Sequence, residues 1–459
     1  MENVIKERGS YHKLMRKLAN DQKTEALAGL LKDLNTVEIA NSLLQLKLKH
    51  QLTVIGLLER DKASEVMSHL HDYVPPILEE IAGQMNSEQL GDLIEEMDKD
   101  DAADLVSILD DEMATRVLDE LPEKDREKIT SLLQYDSESA GGIMNPLVVS
   151  VRSGITVNQA VKYIQKFAKD NEIDEFFVIY VTDGHGHLVG SVSLTRLFLA
   201  KSNELIKDIM DPDVIAVDVD MDQEKVAMLA KEYNLVTVPV IDKHLRLVGR
   251  VTSDDMMDVL SDEFEEDLGQ IAGTGQEDVL EKSLLKAARD RLPWLLLGLG
   301  GGGLAAWLMR GFESSLAALP QIAFFIPVVA ALGGNIAIQS SSLVVRGLAT
   351  GQVRTGDMLR RTWKEIRVGL LNGLICALLL FGMVWLLTDE IIMGYTTSGA
   401  LLIVVCLSAF VGTTVPIILK KLHIDPAIAT GPFITTANDI LGIAIYLIIS
   451  ISVYSDLLL

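Results

Sequence analysis

A carboxylate lies near the middle of an apolar segment in the last part of the sequence. Asp439 belongs to the stretch TGPFITTANDI (430–440), within a segment that is otherwise almost wholly apolar from Pro426 to Val453. A carboxylate at the centre of a bilayer costs about 2.5–3.5 kcal/mol on insertion scales, so such acids face a partner group or a watery path. Thr435 lies four positions before Asp439 and therefore on the same face of a helix. The pattern predicts either a cation-binding carboxylate or an aspartate paired with a neighbouring helix.

A second apolar segment contains small and polar residues in its middle. Its sequence PVVAALGGNIAIQSSS (327–342) places Gly333 and Gly334 next to Asn335. Glycines loosen a helix and expose backbone carbonyls, which at membrane depth is tolerated only where the backbone is packed in protein or lines water. Together with the acidic face of the last segment, this stretch favours a water-lined path for a cation.

Five apolar segments follow Arg291, and each is long enough to cross a bilayer as a helix, for which about 20 residues suffice. Their approximate bounds are 292–309, 321–345, 366–387, 399–419 and 427–453. The loop 346–367 carries six basic and two acidic residues, and two lysines follow the fourth segment. Five such segments predict a multi-pass protein, which is expected in the plasma (inner) membrane. The positive-inside rule places its N-terminus in the cytoplasm and its C-terminus outside.

The acidic charge of the chain is concentrated in its first 291 residues. From Leu292 onward the sequence holds 9 Lys or Arg and 8 Asp or Glu, whereas the first 291 residues hold 32 basic and 57 acidic residues, a net charge of −25. This balance argues against a nucleic-acid partner, whose phosphates require basic surfaces. It favours either a protein that handles cations or simply a very soluble one. Most of these acids are expected to be solvated surface charge. The candidates for sensing a cation are Asp98, Asp101, Asp218, Asp220, Asp254, Asp262, Glu263, Glu265, Glu266 and Asp267, with Asp100, Asp104 and Asp222 in the same runs.

Two kinds of internal repeat organise the acidic half. Leu or Met recurs every twelve residues between positions 34 and 133, with one break, and Asn35, Asn86 and Asp98 stand where helices would begin. This period is typical of short helices stacked into a superhelix. Next, MNPLVVSV (144–151) reappears as MDPDVIAV (210–217), followed each time by a helical stretch, an apolar strand and a turn. The duplication predicts two small α/β units.

These segments resemble known families in both motif and order. The tandem α/β units resemble a pair of CBS domains, and LLQYDSESAGGIMNP (132–146), GGN and GPFITTAND resemble the MgtE family of magnesium channels and transporters. The resemblance implies a multidomain fold: an all-α superhelical N-terminal domain, α/β tandem CBS domains and an all-α five-helix transmembrane domain. The implied bounds are 1–135 for the N domain, 136–206 and 207–270 for CBS 1 and CBS 2, 271–291 for a connecting helix and 292–459 for the transmembrane domain.

The same resemblance implies a function and a set of site residues. A homodimer in contact with membrane lipid would import Mg²⁺ through one path, in which Asp439 supplies the central cation site. The implied lining residues are Gly333, Gly334, Asn335, Gly431 and Thr435. Mg²⁺ bound to the acidic cytoplasmic domains is expected to close the path through the helical stretch 277–292. Asp255 in GRVTSDD stands where nucleotide-binding CBS relatives hold a ribose-binding acid, so ATP or another adenine nucleotide is a candidate ligand.

Two other functions stay open at this point. One is a CBS-regulated transporter of another ion, such as an anion, although an intramembrane acid suits a cation better. The other is a membrane-anchored sensor of nucleotides or divalent ions that transports nothing. An enzyme is the least favoured class, because the sequence contains no GxxxxGK[ST] phosphate loop and no clustered pair of metal-binding His and Glu.

Overall fold

A computed structural model describes residues 11–170, 176–274, 284–350, 352–353 and 355–458 of the chain. The chain divides into two units, Met1–Glu263 and Phe264–Leu459. The first contains short helices followed by two small sheets, and the second contains the membrane-length helices. The fold class expected from the sequence is confirmed in this order of elements.

The first unit begins with short helices that pack on one another around a shared core. Their bounds are α1 (Tyr11–Asn20), α2 (Thr24–Asp33), α3 (Thr36–Leu43), α4 (Leu48–Ile55), α5 (Arg60–Tyr73), α6 (Pro75–Ala82), α7 (Ser87–Glu96), α8 (Lys99–Ser107), α9 (Asp111–Glu120) and α10 (Glu123–Leu132). Asn35 and Asn86 form capping boxes with Glu38 and Gln89, as their positions in the sequence predict. Most positions of the twelve-residue repeat are buried or packed against the core.

Two three-stranded sheets follow, one in each of the predicted α/β units. Their strands are β1 (Ser150–Arg152), β2 (Val178–Thr182), β3 (Leu188–Ser193), β4 (Val217–Asp218), β5 (Val238–Ile241) and β6 (Leu247–Val251). The helices of this region are α11 (Val157–Asp170), α12 (Leu194–Leu199), α13 (Ile206–Ile209), α14 (Gln223–Tyr233) and α15 (Ser253–Ala272). In each sheet the first strand pairs parallel with the second, and the second pairs antiparallel with the third. The shared topology agrees with the duplication seen in the sequence.

The second unit contains five helices that are long and apolar enough to span a membrane, as predicted. They are α16 (Leu284–Arg310), α18 (Gln321–Ala349), α19 (Met358–Thr388), α20 (Ile391–Lys421) and α21 (Gly431–Leu458), with the short α17 (Glu313–Ala318) after the first. α20 is the most enclosed and α16 the least. Glycines let the helices approach closely: Gly412 of α20 lies against the backbone of Ala337 in α18, and Gly369 of α19 lies against Ala409.

The helix bounds differ from the sequence-based ones at both ends of this unit. The described part of α16 includes residues 284–291 of the expected connecting helix, which are continuous with the first span. The part of that stretch at 275–283 lies outside the described residues. The fifth helix begins at Gly431 rather than at 427, because Pro426–Ala429 forms a 3-10 turn and Gly431 has a φ of +56°, outside the α-helical region.

Candidate ion-binding sites

Asp439 of α21 faces the glycine pair of α18. Its side chain is partly buried, and its Oδ1 lies 3.8 Å from the position that a Cβ atom on Gly334 would occupy. The Cγ2 methyl of Thr435 lies 3.9 Å from the same position. Within the described part of the bundle, Arg361 pairs with Glu365 of α19, and no basic side chain forms an ion pair with Asp439. The described contacts therefore do not support the alternative of an aspartate neutralised by a basic neighbour.

Thr435 lies one turn before Asp439 and is bonded to its own helix. Its hydroxyl lies 3.1 Å from the carbonyl oxygens of both Gly431 and Pro432 and donates to them. This bond uses the hydroxyl hydrogen and leaves lone pairs on Oγ1 that can accept from a water molecule. The expected role of Thr435 in lining an ion path is compatible with this geometry and stays a prediction.

The two glycines of α18 have different neighbours. Gly333 lies against Asn438, whose Nδ2 is 2.7 Å from the position of a Cβ on that glycine, and against Val404 and Ser408 of α20. It therefore belongs to a buried contact among three helices, whereas Gly334 lies beside the carboxylate. Asn335 is exposed on α18. The expectation that all three line the path stays a prediction, and among the two glycines only Gly334 has contacts that favour it.

Gly431 is buried at the start of α21. Its φ of +56° disfavours any residue with a Cβ, and such an atom would collide with the carbonyl oxygen of Ile271. Pro432 lies beside Gly273 in the same region. The space that a side chain at position 431 would need is thus filled by backbone, and a contribution from Gly431 to an ion path is restricted to its own carbonyl group.

The first unit brings together acids that the sequence places in different domains. Asp100 of α8 is 6% exposed and accepts a hydrogen bond of 3.2 Å from Nδ2 of Asn145. Burial raises the pKa of Asp100 well above its usual range, and the charges of Asp255, Asp101 and Asp98 raise it further. The largest of these charge effects on Asp100 comes from Asp255. Asp100 belongs to the helical repeat and Asp255 to the second sheet unit, so the two parts contribute carboxyl groups that interact. Such a pair is unfavourable when both groups are ionised and is relieved by a proton or a cation.

Asp255 also caps the start of α15. Its carboxylate accepts hydrogen bonds from the backbone N–H of Thr252, at 3.0 Å, and from the Thr252 hydroxyl. Burial raises the pKa of Asp255 to about 7 against the lowering effect of the Thr252 hydroxyl, and the charge of Asp254 adds to the rise. Asp254 itself is exposed. The engagement of Asp255 with Thr252 favours a role in the carboxyl cluster, and its expected role as a ribose ligand stays a prediction.

The acids near β4 are bonded locally. Asp218 accepts from the backbone N–H of Asp220 at 3.0 Å, and the carboxylate of Asp220 lies 2.9 Å from Nζ of Lys243. Asp222 caps α14 by accepting from the N–H of Lys225 and also pairs with that lysine at 3.6 Å. These three side chains are not gathered into one site, and their expected role in cation sensing stays a prediction.

The acids of α15 between positions 262 and 267 lie along one helix. Glu263 accepts from Nε2 of Gln223 at 2.9 Å, and Glu266 accepts from Nε2 of Gln270 at 3.0 Å. Asp262 and Glu265 are exposed, and Asp267 is partly exposed. Among the residues that the structure describes, no three His, Cys, Asp or Glu side chains are close enough to hold a metal ion together. The described part of a single chain thus contains no complete metal site built from these side chains.

Two asparagines in these sites were not identified from the sequence as functional. Asn145 donates to Asp100, and Asn438 contacts Gly333 and Ser408. A signal was present for Asn438, because an amide beside an acid in an otherwise apolar helix needs a buried partner. For Asn145 the partner lies 45 residues away on another element, and nothing in the local sequence indicates it.

Comparison with known families matches most of the helical repeat, both sheet units and the last four membrane-length helices. Residues 326–449 match the MgtE family, described as a divalent cation transporter, and residues 34–138 match the MgtE intracellular N domain. Residues 140–203 and 206–262 each match the CBS domain.

Individual relatives cover most of the chain. The magnesium transporter MgtE of Thermus thermophilus is 33% identical over 429 residues, which cover 92% of this chain and 94% of that protein. The magnesium transporter MgtE of Bacillus subtilis is 30% identical over 431 residues, with 94% of each chain covered. Among solved structures, the cytosolic domain of the Mg²⁺ channel MgtE in complex with ATP is 34% identical with a TM-score of 0.50, and covers 54% of this chain and 99% of its own.

Proposed function

This chain belongs to the MgtE family of divalent cation transporters, and we propose that it carries Mg²⁺ through its five-helix membrane unit. The chain is a multi-pass membrane protein, as its five apolar helices and its relatives indicate. The observation that carries the proposal is the Asp439 carboxylate, which lies in the last of these helices beside Gly334 with no basic partner among the described residues. A carboxylate in that position is stabilised by a cation that passes it. The role is that of a transporter, not of an enzyme.

The chemistry of the ion fits a carboxylate that acts through water. Mg²⁺ requires six oxygen ligands in a near-ideal octahedron and loses its water reluctantly, so a path lined by one acid, hydroxyls and backbone carbonyls can hold it in hydrated form. Thr435 supplies a hydroxyl one helical turn before Asp439.

We further propose a homodimer in which both copies of Asp439 face one ion. A single carboxylate carries half the charge needed to neutralise a divalent cation. Two carboxylates about 8 Å apart, a separation that suits a hydrated ion between them, would repel by about 2 kcal/mol at an effective dielectric constant of about 20. The bound ion removes that repulsion, so the two carboxylates are stabilised inside the membrane when Mg²⁺ lies between them.

The carboxyl pair of the first unit supports a second part of the proposal, in which cytoplasmic Mg²⁺ closes the path. Asp100 and Asp255 come from the helical repeat and the second sheet unit, and each has a raised pKa because of burial and neighbouring acids. Mg²⁺ between such groups would hold the two parts together. With the N-terminus in the cytoplasm, the path would open when Mg²⁺ there is scarce, and transport would be import.

Nucleotide is the remaining candidate ligand. The solved cytosolic domain of a related Mg²⁺ channel, 34% identical to this chain, was determined in complex with ATP. We therefore propose that the tandem CBS units of this chain bind an adenine nucleotide. Calorimetric titration of the purified cytosolic unit with ATP tests this, and a heat signal equal to that of buffer would exclude ATP as the ligand.

The transport function is tested on the full chain reconstituted in liposomes that contain a magnesium-sensitive dye. Asp439→Asn keeps the size of the side chain and removes its charge, so Mg²⁺ uptake should fall to the level of empty liposomes. Asp389→Asn is the matched control, because it is the same change at an exposed acid with φ +58°, a conformation that asparagine tolerates.

The outcomes separate the functions considered from the sequence. Uptake at the unaltered rate by well-folded Asp439→Asn protein would reject Asp439 as the cation ligand. No Mg²⁺ flux from the unaltered protein, with tight nucleotide binding, would favour a membrane-anchored sensor instead. Flux of anions without Mg²⁺ would identify a CBS-regulated transporter of another ion.

A further inference from the structure

Asn438 is a buried polar side chain that joins three membrane helices. It is 2% exposed, and its Oδ1 accepts a hydrogen bond from the hydroxyl of Ser408 in α20, which is fully buried. On its other side, Nδ2 is 2.7 Å from the position that a Cβ on Gly333 of α18 would take. The amide therefore occupies space that exists only because residue 333 is a glycine.

This arrangement is not what efficient packing alone would select. Nδ2 of Asn438 has no hydrogen-bond acceptor among the described residues, and an unpaired buried donor is unfavourable. An apolar side chain of similar volume would fill the same space without that loss. The Ser408 hydroxyl has one hydrogen, and the carbonyl oxygen of Val404, at 2.7 Å, can accept it instead of the amide, so this hydroxyl would be satisfied without Asn438. The asparagine at position 438 therefore does more than fill the space between α18, α20 and α21.

The register between α18 and α21 indicates what the role of Asn438 is. The consecutive residues Gly333 and Gly334 of α18 oppose the consecutive residues Asn438 and Asp439 of α21, respectively. Successive residues of an α-helix point about 100° apart, so the direction of one side chain sets the direction of the next. With the Asn438 amide held between Gly333 and Ser408, Asp439 is directed to Gly334.

We propose that Asn438 is a positioning residue that fixes the rotation of α21 and thereby aims the Asp439 carboxylate into the ion path. This inference rests on the proposed role of Asp439 as the cation ligand. A carboxylate oxygen lies about 6 Å from the helix axis, so a rotation of about 20° moves it by about 2 Å. The waters that Mg²⁺ holds keep a narrow octahedral geometry. A shift of about 2 Å is large compared with the range of about 2.5–3.0 Å over which a carboxylate oxygen accepts a hydrogen bond from such a water.

The test uses the full chain in liposomes and separates the apparent KM for Mg²⁺ from the maximal rate. Asn438→Ala should raise the apparent KM at least about tenfold and weaken the preference for Mg²⁺ over Ca²⁺, while insertion into the membrane is retained. Ser408→Ala should change the KM in the same direction by a smaller factor. Because both changes break one contact, the double variant should be no worse than Asn438→Ala alone. Asn372→Ala is the control, since it is the same substitution at an exposed asparagine of a membrane helix.

A second measurement reports the direction of the side chain at position 439. In a background without the two native cysteines, Asp439→Cys should react with a water-soluble cationic thiol reagent, and adding Asn438→Ala should slow that reaction about tenfold. Ser408→Ala serves the same purpose if Asn438→Ala fails to fold.

The outcomes distinguish this inference from the function on which it rests. Unchanged KM, selectivity and thiol reactivity in folded Asn438→Ala protein, with Asp439→Asn inactive, would overturn the positioning role and leave the transport proposal intact. Full activity of Asp439→Asn would overturn both.

Discussion

The substitution Asp255→Asn should stabilise the first unit, Met1–Glu263, at alkaline pH when divalent cations are removed. Burial raises the pKa of Asp255 from 3.8 to about 7, so the folded state holds this proton more tightly than the unfolded state does. The stability that the protonated group contributes is complete below the unfolded pKa and is lost as the pH rises from 3.8 through about 7. Asparagine keeps an oxygen that can accept from Thr252 and carries no charge toward Asp100, so it avoids that loss.

The magnitude follows from the same shift. A rise of about three in pKa means that the folded state is destabilised by about 4 kcal/mol when Asp255 is ionised. Asp255 is partly exposed to solvent, so water screens part of this penalty. We therefore expect Asp255→Asn to raise the free energy of unfolding by about 2 kcal/mol. For a unit of this size, 1 kcal/mol changes the Tm by about 2–4 °C, so the expected increase in Tm is about 4–8 °C.

The assay is thermal unfolding of the purified first unit, followed by calorimetry, at acidic pH and above the pKa of Asp255. With chelator present, the gain in Tm for Asp255→Asn should be found at alkaline pH and should shrink on acidification. Added Mg²⁺ should raise the Tm of the unaltered unit and have little effect on the variant. Asp213→Asn, the same change at an exposed acid, should behave like the unaltered unit. An unchanged or lower Tm for Asp255→Asn in chelator at alkaline pH would refute the argument from the buried carboxyl pair.

Two further predictions concern glycines of the membrane unit and are checked by the Tm of the detergent-solubilised protein. Gly301→Ala should lower the Tm, because a Cβ there collides with the side chain of Thr436. Gly302→Ala should not lower it, because nothing lies within 4 Å of its Cβ and alanine favours a helix more than glycine does. Equal Tm values for this pair would contradict the described contact of α16 with α21. Gly431→Ala should also lower the Tm, by the equivalent of about 1–2 kcal/mol for φ +56° plus the collision with Ile271, and a neutral result would show that α21 starts differently.

The sequence was sufficient where a pattern repeats or extends over a long segment. Five spans could be predicted because each needs only length and apolar composition, and the sheet units because the same strand pattern occurs twice. The acidic face of α21 could be predicted because Thr435 and Asp439 are one helical turn apart. Each of these inferences depends on neighbours in sequence.

The parts that the sequence did not predict depend on contacts between distant residues. Asp100 and Asp255 are 155 positions apart, and their proximity is produced by the packing of α8 on the second sheet unit. The different surroundings of Gly333 and Gly334 depend on the rotation of α21, which periodicity alone does not set. The start of α21 at Gly431 depends on a single positive φ, because a 3-10 turn before it breaks the apolar segment.

The fit of Asn438 against Gly333 has an evolutionary consequence. Because the Asn438 amide lies where a Cβ on residue 333 would be, substitutions at these two positions should be coupled in evolution. If a lineage first replaces Asn438 by a small residue, the nearest obstacle to alanine or serine at position 333 is removed. If it first acquires a larger residue at position 333, it must lose either the Asn438 amide or the contact between the two helices. Across divergent homologues, we therefore expect asparagine at 438 to occur with glycine at 333, and relaxation at one position to accompany relaxation at the other.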